Sequence, residues 1–153
     1  HEPERSMGAD ETFARDTDDR EFVLRELLRL SGKVAGQMRA AQVMGRTVTI
    51  RVRFADFTTL TRSRALPEAT DVTMEIHRAA AGLFDRLGLQ RTRLRLVGVR
   101  VERLVARDTV QQQLVLGARE HGWSDLDRAV DRATRRFGSA AVGPGSLVAG
   151  RGR

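Results

Sequence analysis

The chain has 153 residues and a formal net charge of +7, and 41% of its residues are hydrophobic, enough for an ordinary core. This length accommodates one domain with a tail and excludes a large multidomain enzyme. Because cysteine is absent, disulfides, a cysteine-ligated zinc site and thiol catalysis are excluded. No apolar run approaches the ~18 residues of a membrane span, and no segment has the pattern of a signal peptide, so we expect a cytoplasmic protein.

The positive charge is concentrated in the middle of the chain. Residues 42–107 contain thirteen basic and six acidic side chains, a net charge of +7, whereas residues 1–41 have a net charge of −2 and residues 108–153 of +2. A basic excess of this kind favours a polyanionic partner such as nucleic acid.

The first segments predict a strand followed by a long helix. Residues 1–5 resemble a linker, and residues 6–13 form a short extended segment. Asp18, with Glu21 three residues later, indicates the start of a helix, where acidic side chains satisfy free backbone amides. Apolar residues then recur at steps of three and four, which predicts an amphipathic helix over 18–41.

Alternation of apolar with polar residues then predicts a hairpin. From 47 to 54, valine, isoleucine and phenylalanine alternate with threonine and arginine, as in a half-buried strand. A second strand is predicted over 59–66, ending before Pro67. A second helix follows, capped by Thr70 and stopping at Gly88.

In the last predicted strand, at about 93–105, the apolar residues are at even-numbered positions in the first half and at odd-numbered positions in the second. These residues are Leu94, Leu96, Val97, Val99 and Val101. A bulge near Val97 or Gly98 would keep all five in the core. The predicted fold is therefore α+β with the order β-α-β-β-α-β, the split-βαβ or ferredoxin-like arrangement, in which a four-stranded sheet carries two helices on one face.

The other face of this sheet is predicted to be open and basic. We expect it to hold Arg51 and Arg53, Arg62 or Arg64, and Arg93, Arg95 and Arg100, with hydroxyls from Thr47 and Thr49. Charged sheet faces are often merely solvated, but arginines with few acidic partners repel one another, and a phosphate backbone relieves that repulsion. No aromatic residue is predicted here, which argues against base stacking and favours sequence-independent binding to the nucleic-acid backbone.

No catalytic constellation is evident. The three histidines, His1, His77 and His121, are scattered along the chain, and no glycine-rich phosphate loop follows a strand. Paired acidic residues such as Asp125 and Asp127 suit the start of a helix better than a metal site. We therefore expect no catalysis and no cofactor in this segment.

Four short segments resemble the little-finger domain of Y-family DNA polymerases, in the bacterial DinB (DNA polymerase IV) branch. They are SMGADETF at 6–13, FTTLTRS at 57–63, VGVRV at 97–101 and the stretch from Trp123 to Gly138. The resemblance implies a DNA-binding little finger at 6–107 and a parent translesion polymerase whose palm, missing here, binds Mg²⁺ and transfers nucleotides. It also implies phosphate contacts at Thr61, Arg62, Ser63, Arg95 and Arg100.

A glutamine-rich segment, QQQLVLG at 111–117, follows the predicted domain. It resembles the Q-L-x-L-F ligands of bacterial sliding clamps and their longer form, although Gly117 stands where the shorter form has Phe. The matching residues are Gln111, Gln113, Leu114 and Leu116. We interpret 108–121 as an extended linker that buries two leucines in the beta sliding clamp of DNA polymerase III. An ordinary solvated linker is the alternative.

A capped helix at 122–138 and a flexible tail at 139–153 complete the prediction. The predicted function is that of a non-catalytic, monomeric fragment of an error-prone polymerase, which holds primer–template DNA and attaches to the clamp. Two alternatives remain: a non-catalytic polymerase-like mutagenesis adaptor, and a free-standing ferredoxin-like nucleic-acid-binding module.

Overall fold

The computed structural model describes residues 6–114, 127, 128 and 130–132. Its elements in chain order are β1 (Ser6–Thr17), α1 (Arg20–Ala40), β2 (Val43–Phe54), β3 (Thr59–Thr70), α2 (Thr73–Arg86), β4 (Leu94–Glu102), β5 (Val105–Ala106) and α3 (Arg107–Leu114). The first six elements confirm the predicted β-α-β-β-α-β order. The two-residue strand β5, which pairs with the start of β2, is a fifth strand that we did not predict.

The main sheet is antiparallel and has the strand order β1-β4-β2-β3. The central strands β2 and β4 supply the apolar alternation, and both helices pack on the same face of the sheet. Among the largest fully buried side chains are Leu27 and Leu30 of α1, Ile50 of β2 and Ile76 of α2. Alternate residues of the strands point to the opposite face, which we call the open face.

The start of α1 lies one residue later than predicted. Asp19, rather than Asp18, is the N-cap, and its Oδ1 accepts hydrogen bonds from the backbone N–H groups of Glu21 (3.0 Å) and Phe22 (3.3 Å). The hydroxyl of Thr17 accepts a hydrogen bond from the backbone N–H of Asp19. This contact orders the residues between β1 and the helix and selects the second aspartate as the cap.

The start of α2 also differs from the prediction. Val72 occupies the N-cap position, and no side-chain hydrogen bond of its own caps the helix. Thr70 lies two residues earlier, accepts from the backbone N–H of Val72 (3.0 Å) and donates to the carboxylate of Glu75, so it orders the approach to the helix. The predicted stop is confirmed, since Gly88 follows α2 with a left-handed φ of 62°.

The strand β3 continues to Thr70 and does not end before Pro67. Proline lacks the N–H group that a ladder requires, but an edge strand tolerates it. Pro67 lies within a register shift in which Thr47 pairs with Ala65 and Gly45 with Thr70. The irregular pairing accommodates the proline without ending the strand.

The bulge in β4 lies at Arg95 and not at Val97 or Gly98. Leu94 pairs with Phe54 and Leu96 with Arg53, so one additional residue of β4 stands opposite β2. All five apolar residues of this strand are buried as predicted. However, Leu96 lies outside the core cluster, on the open face beside Arg53, because the bulge comes before it rather than after it.

The segment after the sheet is helical where we predicted an extended linker. Residues 107–114 form α3, in which Val110 is buried. Residues 127, 128 and 130–132 are helical and fall within the helix predicted at 122–138. The rest of that prediction, the tail at 139–153 and the linker at 1–5 lie outside the described residues. No helix in the described part of the chain is both long and apolar enough to cross a membrane.

Candidate nucleic-acid interface

The strand register arranges the open face as rows of residues that run across all four strands. In the order β1, β4, β2, β3, one row is Gly8, Arg100, Thr49 and Ser63, the next is Asp10, Gly98, Arg51 and Thr61, and the third is Thr12, Leu96, Arg53 and Thr59. Thr47 continues the face beyond the first row, beside Ala65. Glycine or a hydroxyl-bearing residue flanks Arg100 and Arg51 within their rows, whereas Arg53 lies between Leu96 and Thr59.

Arg100 extends from β4 across β1. It is exposed, and its Nη1 donates a hydrogen bond to the hydroxyl of Ser6 at 2.9 Å. Its guanidinium lies over Gly8, where an added Cβ would lie 3.2 Å from Cζ of Arg100. No acidic side chain of the described residues forms an ion pair with Arg100, and its positive charge is therefore available to a ligand.

Arg51 is less available because Asp10 neutralises it. Nη2 of Arg51 lies 2.8 Å from Oδ2 of Asp10, and both side chains are about two-fifths exposed. Gly98 lies between these two residues in the row, and it has no side chain to separate them. We predicted that the arginines of this face have few acidic partners, and Asp10 is one of those few, so a phosphate must compete with Asp10 for Arg51.

Hydroxyl groups on β3 complete the face next to β2. Nε of Arg53 donates to the hydroxyl of Thr59 (3.1 Å), and the hydroxyls of Thr49 and Ser63 share a hydrogen bond of 2.7 Å. The hydrogen bond that Arg53 donates to Thr59 holds its guanidinium along the sheet surface. Arg53 therefore presents its remaining N–H groups from a fixed position.

Two predicted arginines lie elsewhere. Arg62 and Arg64 share the parity of Leu60 and Leu66, which pack against the core, so they extend from the helix side of the edge strand β3. Both are exposed. The prediction that Arg62 or Arg64 lies on the open face is therefore wrong, because pairing of Arg53 with Thr59 places the odd-numbered residues of β3 there.

The turn between β2 and β3 carries an aromatic residue that we did not predict at this surface. The backbone N–H of Phe57 donates to the carbonyl of Phe54 (2.9 Å), and Phe57 has φ = 73° in the left-handed region. In a short hairpin loop the left-handed position is usually occupied by glycine. Any other residue there costs on the order of 1 kcal/mol in backbone strain. Phe57 is 67% exposed.

The side chain of Asp56 holds the same turn together. Its Oδ1 accepts hydrogen bonds from the backbone N–H (3.0 Å) and the hydroxyl (2.7 Å) of Thr58. These hydrogen bonds lower the pKa of Asp56 below its ordinary value, and the bond from the backbone N–H has the larger effect. The turn is therefore ordered by its own side chain, although it lies at the surface.

Arg93 and Arg95 lie at the turn end of the sheet. The carbonyl of Arg93 accepts a hydrogen bond from the backbone N–H of Ala55 (3.0 Å), and its side chain is exposed. Cζ of Arg95 lies 4.2 Å from the centroid of the Phe57 ring, and its Nε lies 3.9 Å from the carboxylate of Asp16. Arg95 is thus held between an aromatic ring and an acidic residue, whereas Arg93 faces solvent.

The domain described above matches a known protein family. Residues 4–114 match the model of the impB/mucB/samB family C-terminal domain. The chain belongs to this family. This membership confirms the resemblance to the C-terminal, little-finger domain of Y-family polymerases in the DNA polymerase IV branch.

Relatives of this C-terminal domain are found in several bacteria. The chain is 34% identical over 146 residues to a DNA polymerase IV of Desulfatibacillum aliphaticivorans, covering 94% of this chain and 37% of that protein. It is 36% identical over 138 residues to a DNA polymerase IV of Moorella thermoacetica, covering 90% and 34%. The chain thus spans about a third of the length of these curated relatives.

A solved structure has a similar fold. The crystal structure of DinB from Sulfolobus solfataricus matches with a TM-score of 0.58 at 14% identity, over 67% of this chain and 30% of that one. At this identity the similarity concerns the fold alone. It agrees with the arrangement of helices and strands predicted from the sequence.

A second charged cluster joins the impB/mucB/samB C-terminal domain of this chain to Asp127 and Asp131, which follow it in the sequence. The side chain of Arg39 is only 7% exposed. It donates to the carboxylate of Asp131 (Nη2 to Oδ1, 2.9 Å) and to the carbonyl of Asp71 (2.8 Å), and its Nη1 lies 3.2 Å from Oδ2 of Asp127. Asp127 also accepts from the backbone N–H of Thr73 (2.8 Å), and so supplies the missing cap of α2.

These contacts attach the helical residues 127–132 to α1 and α2. Burial by itself would lower the pKa of Arg39, but the carboxylates of Asp131, Asp127 and Asp71 outweigh it and raise the pKa. Burial raises the pKa of Asp127, and Arg39 opposes that shift. The spacing of Asp127 and Asp131 is the only sequence signal for this contact, because residues four apart share a helix face. Asp127 therefore caps α2 from outside that helix.

Most of the remaining residues named from the sequence lie in helices. His77 is partly buried in α2, burial lowers its pKa, and its Nδ1 has no hydrogen-bond partner in the described part of the chain. No three side chains among the described residues form a metal-binding group. Of the predicted clamp ligands, Gln111, Gln113 and Leu114 belong to α3, and Leu116 lies outside the described residues.

Proposed function

We propose that this chain is the DNA-holding domain of a translesion polymerase of the DNA polymerase IV type, and that its open face binds the phosphate backbone of primer–template DNA. The relatives named DNA polymerase IV support the parent activity. Nucleotide transfer, with its Mg²⁺, would belong to the two-thirds of those relatives that this chain does not match.

The observation that carries this proposal is the pair Arg53 and Arg100 on the open face. Both present guanidinium groups beside hydroxyls and have no acidic partner in the described part of the chain. Guanidinium and hydroxyl groups bind phosphate oxygens, and such contacts position DNA without reading its sequence. Leu96, which lies beside Arg53, offers no donor or acceptor for a base edge.

The proposal is tested with two matched double variants of the chain. Arg53→Gln with Arg100→Gln removes two charges from the open face, and Arg62→Gln with Arg64→Gln removes two from the other side of the sheet. The first should weaken binding to unrelated duplexes equally and reduce the slope of log affinity against log salt by up to ~2, because each neutralised phosphate releases a counterion. Fluorescence anisotropy over a range of salt concentrations measures both quantities.

The second variant is the control for net charge. It should retain most of the affinity of the parent, and circular dichroism should show that both variants are folded. If loss of Arg62 and Arg64 weakens binding as much as loss of Arg53 and Arg100, the open face is not the DNA-binding surface. In that case the contact that the family resemblance implies for Arg62 takes its place.

We also propose that residues 111–116 attach the chain to a bacterial sliding clamp. The glutamine and leucine pattern supports this, and burying each leucine is worth roughly 1.5–3 kcal/mol before ordering costs. To bind the clamp in an extended conformation, residues 111–114 must unwind from the end of α3. A helix of eight residues is marginal by itself, so this unwinding costs little.

Calorimetry against the clamp of the same organism tests this attachment. With Gly117 in place of phenylalanine, we expect micromolar affinity, on the order of −8 kcal/mol. Leu114→Ala with Leu116→Ala should abolish clamp binding and leave DNA binding intact, and Gly117→Phe should tighten clamp binding. Unchanged affinity of the double-alanine variant would place the clamp contact elsewhere.

The coding sequence upstream of residue 1 distinguishes the polymerase from the two alternatives. A palm domain with its acidic residues is expected for the polymerase, and a palm lacking them for a mutagenesis adaptor. A start codon would indicate a free-standing nucleic-acid-binding module.

A further inference from the structure

Phe57 has three properties that set it apart from the other apolar residues of the domain. It is 67% exposed, its backbone is left-handed, and the guanidinium of Arg95 lies 4.2 Å from its ring centroid. Among the described residues, Val105, at 44%, is the only other large apolar side chain that is exposed. Phe57 therefore incurs two costs, exposure to water and a strained backbone, at a site where glycine would avoid both.

We infer that Phe57, supported by Arg95, is a stacking site for an unpaired nucleobase. Arg95 lies over one face of the ring. Because Phe57 is 67% exposed, a base can approach the opposite face. Every base has a flat π-face, so an aromatic ring at the surface binds bases of any sequence. This inference deepens the proposed function and rests on it, since it concerns the same DNA.

The cations around the turn that lack an acidic partner in the described part of the chain favour a nucleic acid over a protein as the occupant. Arg93 and Arg53 flank the turn, and the backbone of Ala55 is hydrogen-bonded to Arg93. The nearby carboxylates are already engaged, Asp56 by Thr58 and Asp16 by Arg95. A hydrophobic pocket of a protein partner would have to desolvate these cations, whereas a phosphodiester chain pairs with them. Their arrangement suits a base whose own phosphates lie on either side of it.

The base must be unpaired, because the faces of a base within a duplex are covered by its neighbours in the stack. A primer–template has such bases in the single-stranded extension of the template. The open face would then hold the duplex, and the turn at the end of β2 would hold the first bases beyond it. The ligand class is therefore a junction between double-stranded and single-stranded DNA.

The experiment compares two DNA ligands that have the same duplex and the same number of phosphates. One carries a 5′ extension with normal bases, and the other carries the extension as tetrahydrofuran abasic residues. The 153-residue chain should bind the first about tenfold more tightly than the second, because stacking on an aromatic ring requires the base. Phe57→Leu should abolish this difference, and Phe57→Trp should preserve it.

The control variant is Val105→Ala, which removes the other exposed apolar side chain and should keep the tenfold preference. A preference that survives in Phe57→Leu overturns the inference. Salt-dependent binding of both DNAs by the parent, with no preference between them, also overturns it and leaves the proposed function standing. Failure of the parent to bind either DNA overturns the proposed function and this inference together.

Discussion

Gly98 lies directly against the carboxylate of Asp10, so that a Cβ placed on Gly98 would lie 2.0 Å from Oδ1 of Asp10. The two residues are opposite each other on β4 and β1, and the next residue in the row is Arg51. Without a side chain at the middle position, Asp10 reaches across one strand to Arg51. The glycine therefore controls how much positive charge the open face presents.

Removing the charge of Asp10 should strengthen DNA binding. In Asp10→Asn, Arg51 loses its acidic partner and the face loses a group that repels phosphate. We expect the affinity to rise by roughly 1.4-fold to fivefold at low salt, because exposed ion pairs are worth about 0.2–1 kcal/mol. Fluorescence anisotropy measures the change. The matched control is Glu11→Gln, the next residue of β1, which pairs with Arg29 of α1 (3.0 Å) on the helix side. Equal gains in both variants would indicate a general charge effect.

A methyl group at Gly98 should destabilise the domain through Asp10. In Gly98→Ala the carboxylate of Asp10 must move away, and we expect a loss of about 1 kcal/mol in the free energy of unfolding. In an Asp10→Ala background the same change should cost almost nothing, because the atoms that it contacts are gone. Urea unfolding of the four proteins gives this coupling directly. A cost that does not depend on Asp10 would refute the proposed contact.

Loss of Arg39 should release the helix at 127–132. The side chain of Arg39 is buried and holds Asp131 and Asp127, and breaking a buried pair costs about 3–5 kcal/mol. In Arg39→Ala, trypsin should therefore cleave faster after Arg128 and Arg132. The control is Arg29→Ala, in the same helix but with a side chain that is 40% exposed, where the cost should stay below ~1 kcal/mol. Equal cleavage rates in the parent and Arg39→Ala would show that Arg39 does not anchor the helix.

His77 should make the domain sensitive to acid. Burial lowers its pKa in the folded state, so the unfolded chain binds the proton more readily. The contribution of His77 to stability is therefore complete above about pH 6.5, the ordinary value, and is lost as pH falls from there through the folded pKa. Chemical unfolding at pH 7.5 and pH 5.5 should show a smaller decrease for His77→Gln than for the parent. An identical decrease in both would assign the acid sensitivity to other groups.

Periodicity predicted the secondary structure of the domain because each element buries one face. The apolar positions of α1 and β2 recur at helical and strand spacing, and the structure buries them as predicted. The face of the arginines on β3 was not predictable in this way. It depends on the pairing of Arg53 with Thr59, which the conformation of Phe57 in the turn sets. A shift of one residue there would exchange the two faces of β3.

Contacts between distant segments were not predictable from the sequence either. Asp10 and Arg51 are forty-one residues apart, and Arg39 and Asp131 ninety-two. Each of these charged side chains lies in a local sequence pattern that is typical of a solvent-exposed position. The pattern therefore gives no indication of a charged partner. Only the strand order and the packing of the helices bring them together, and neither can be derived from local spacing.

Arg62 and Arg64 place two positive charges on a strand whose other side is unpaired in the described structure. β3 is an edge of the sheet and pairs only with β2 in the described structure, and an edge of this kind can add a strand from another molecule. A second copy approaching edge to edge would bring its own pair of arginines against these two, and Pro67 removes one N–H group from the ladder that would form. Both features therefore oppose the addition of a strand from a second copy and are expected to limit aggregation through this edge.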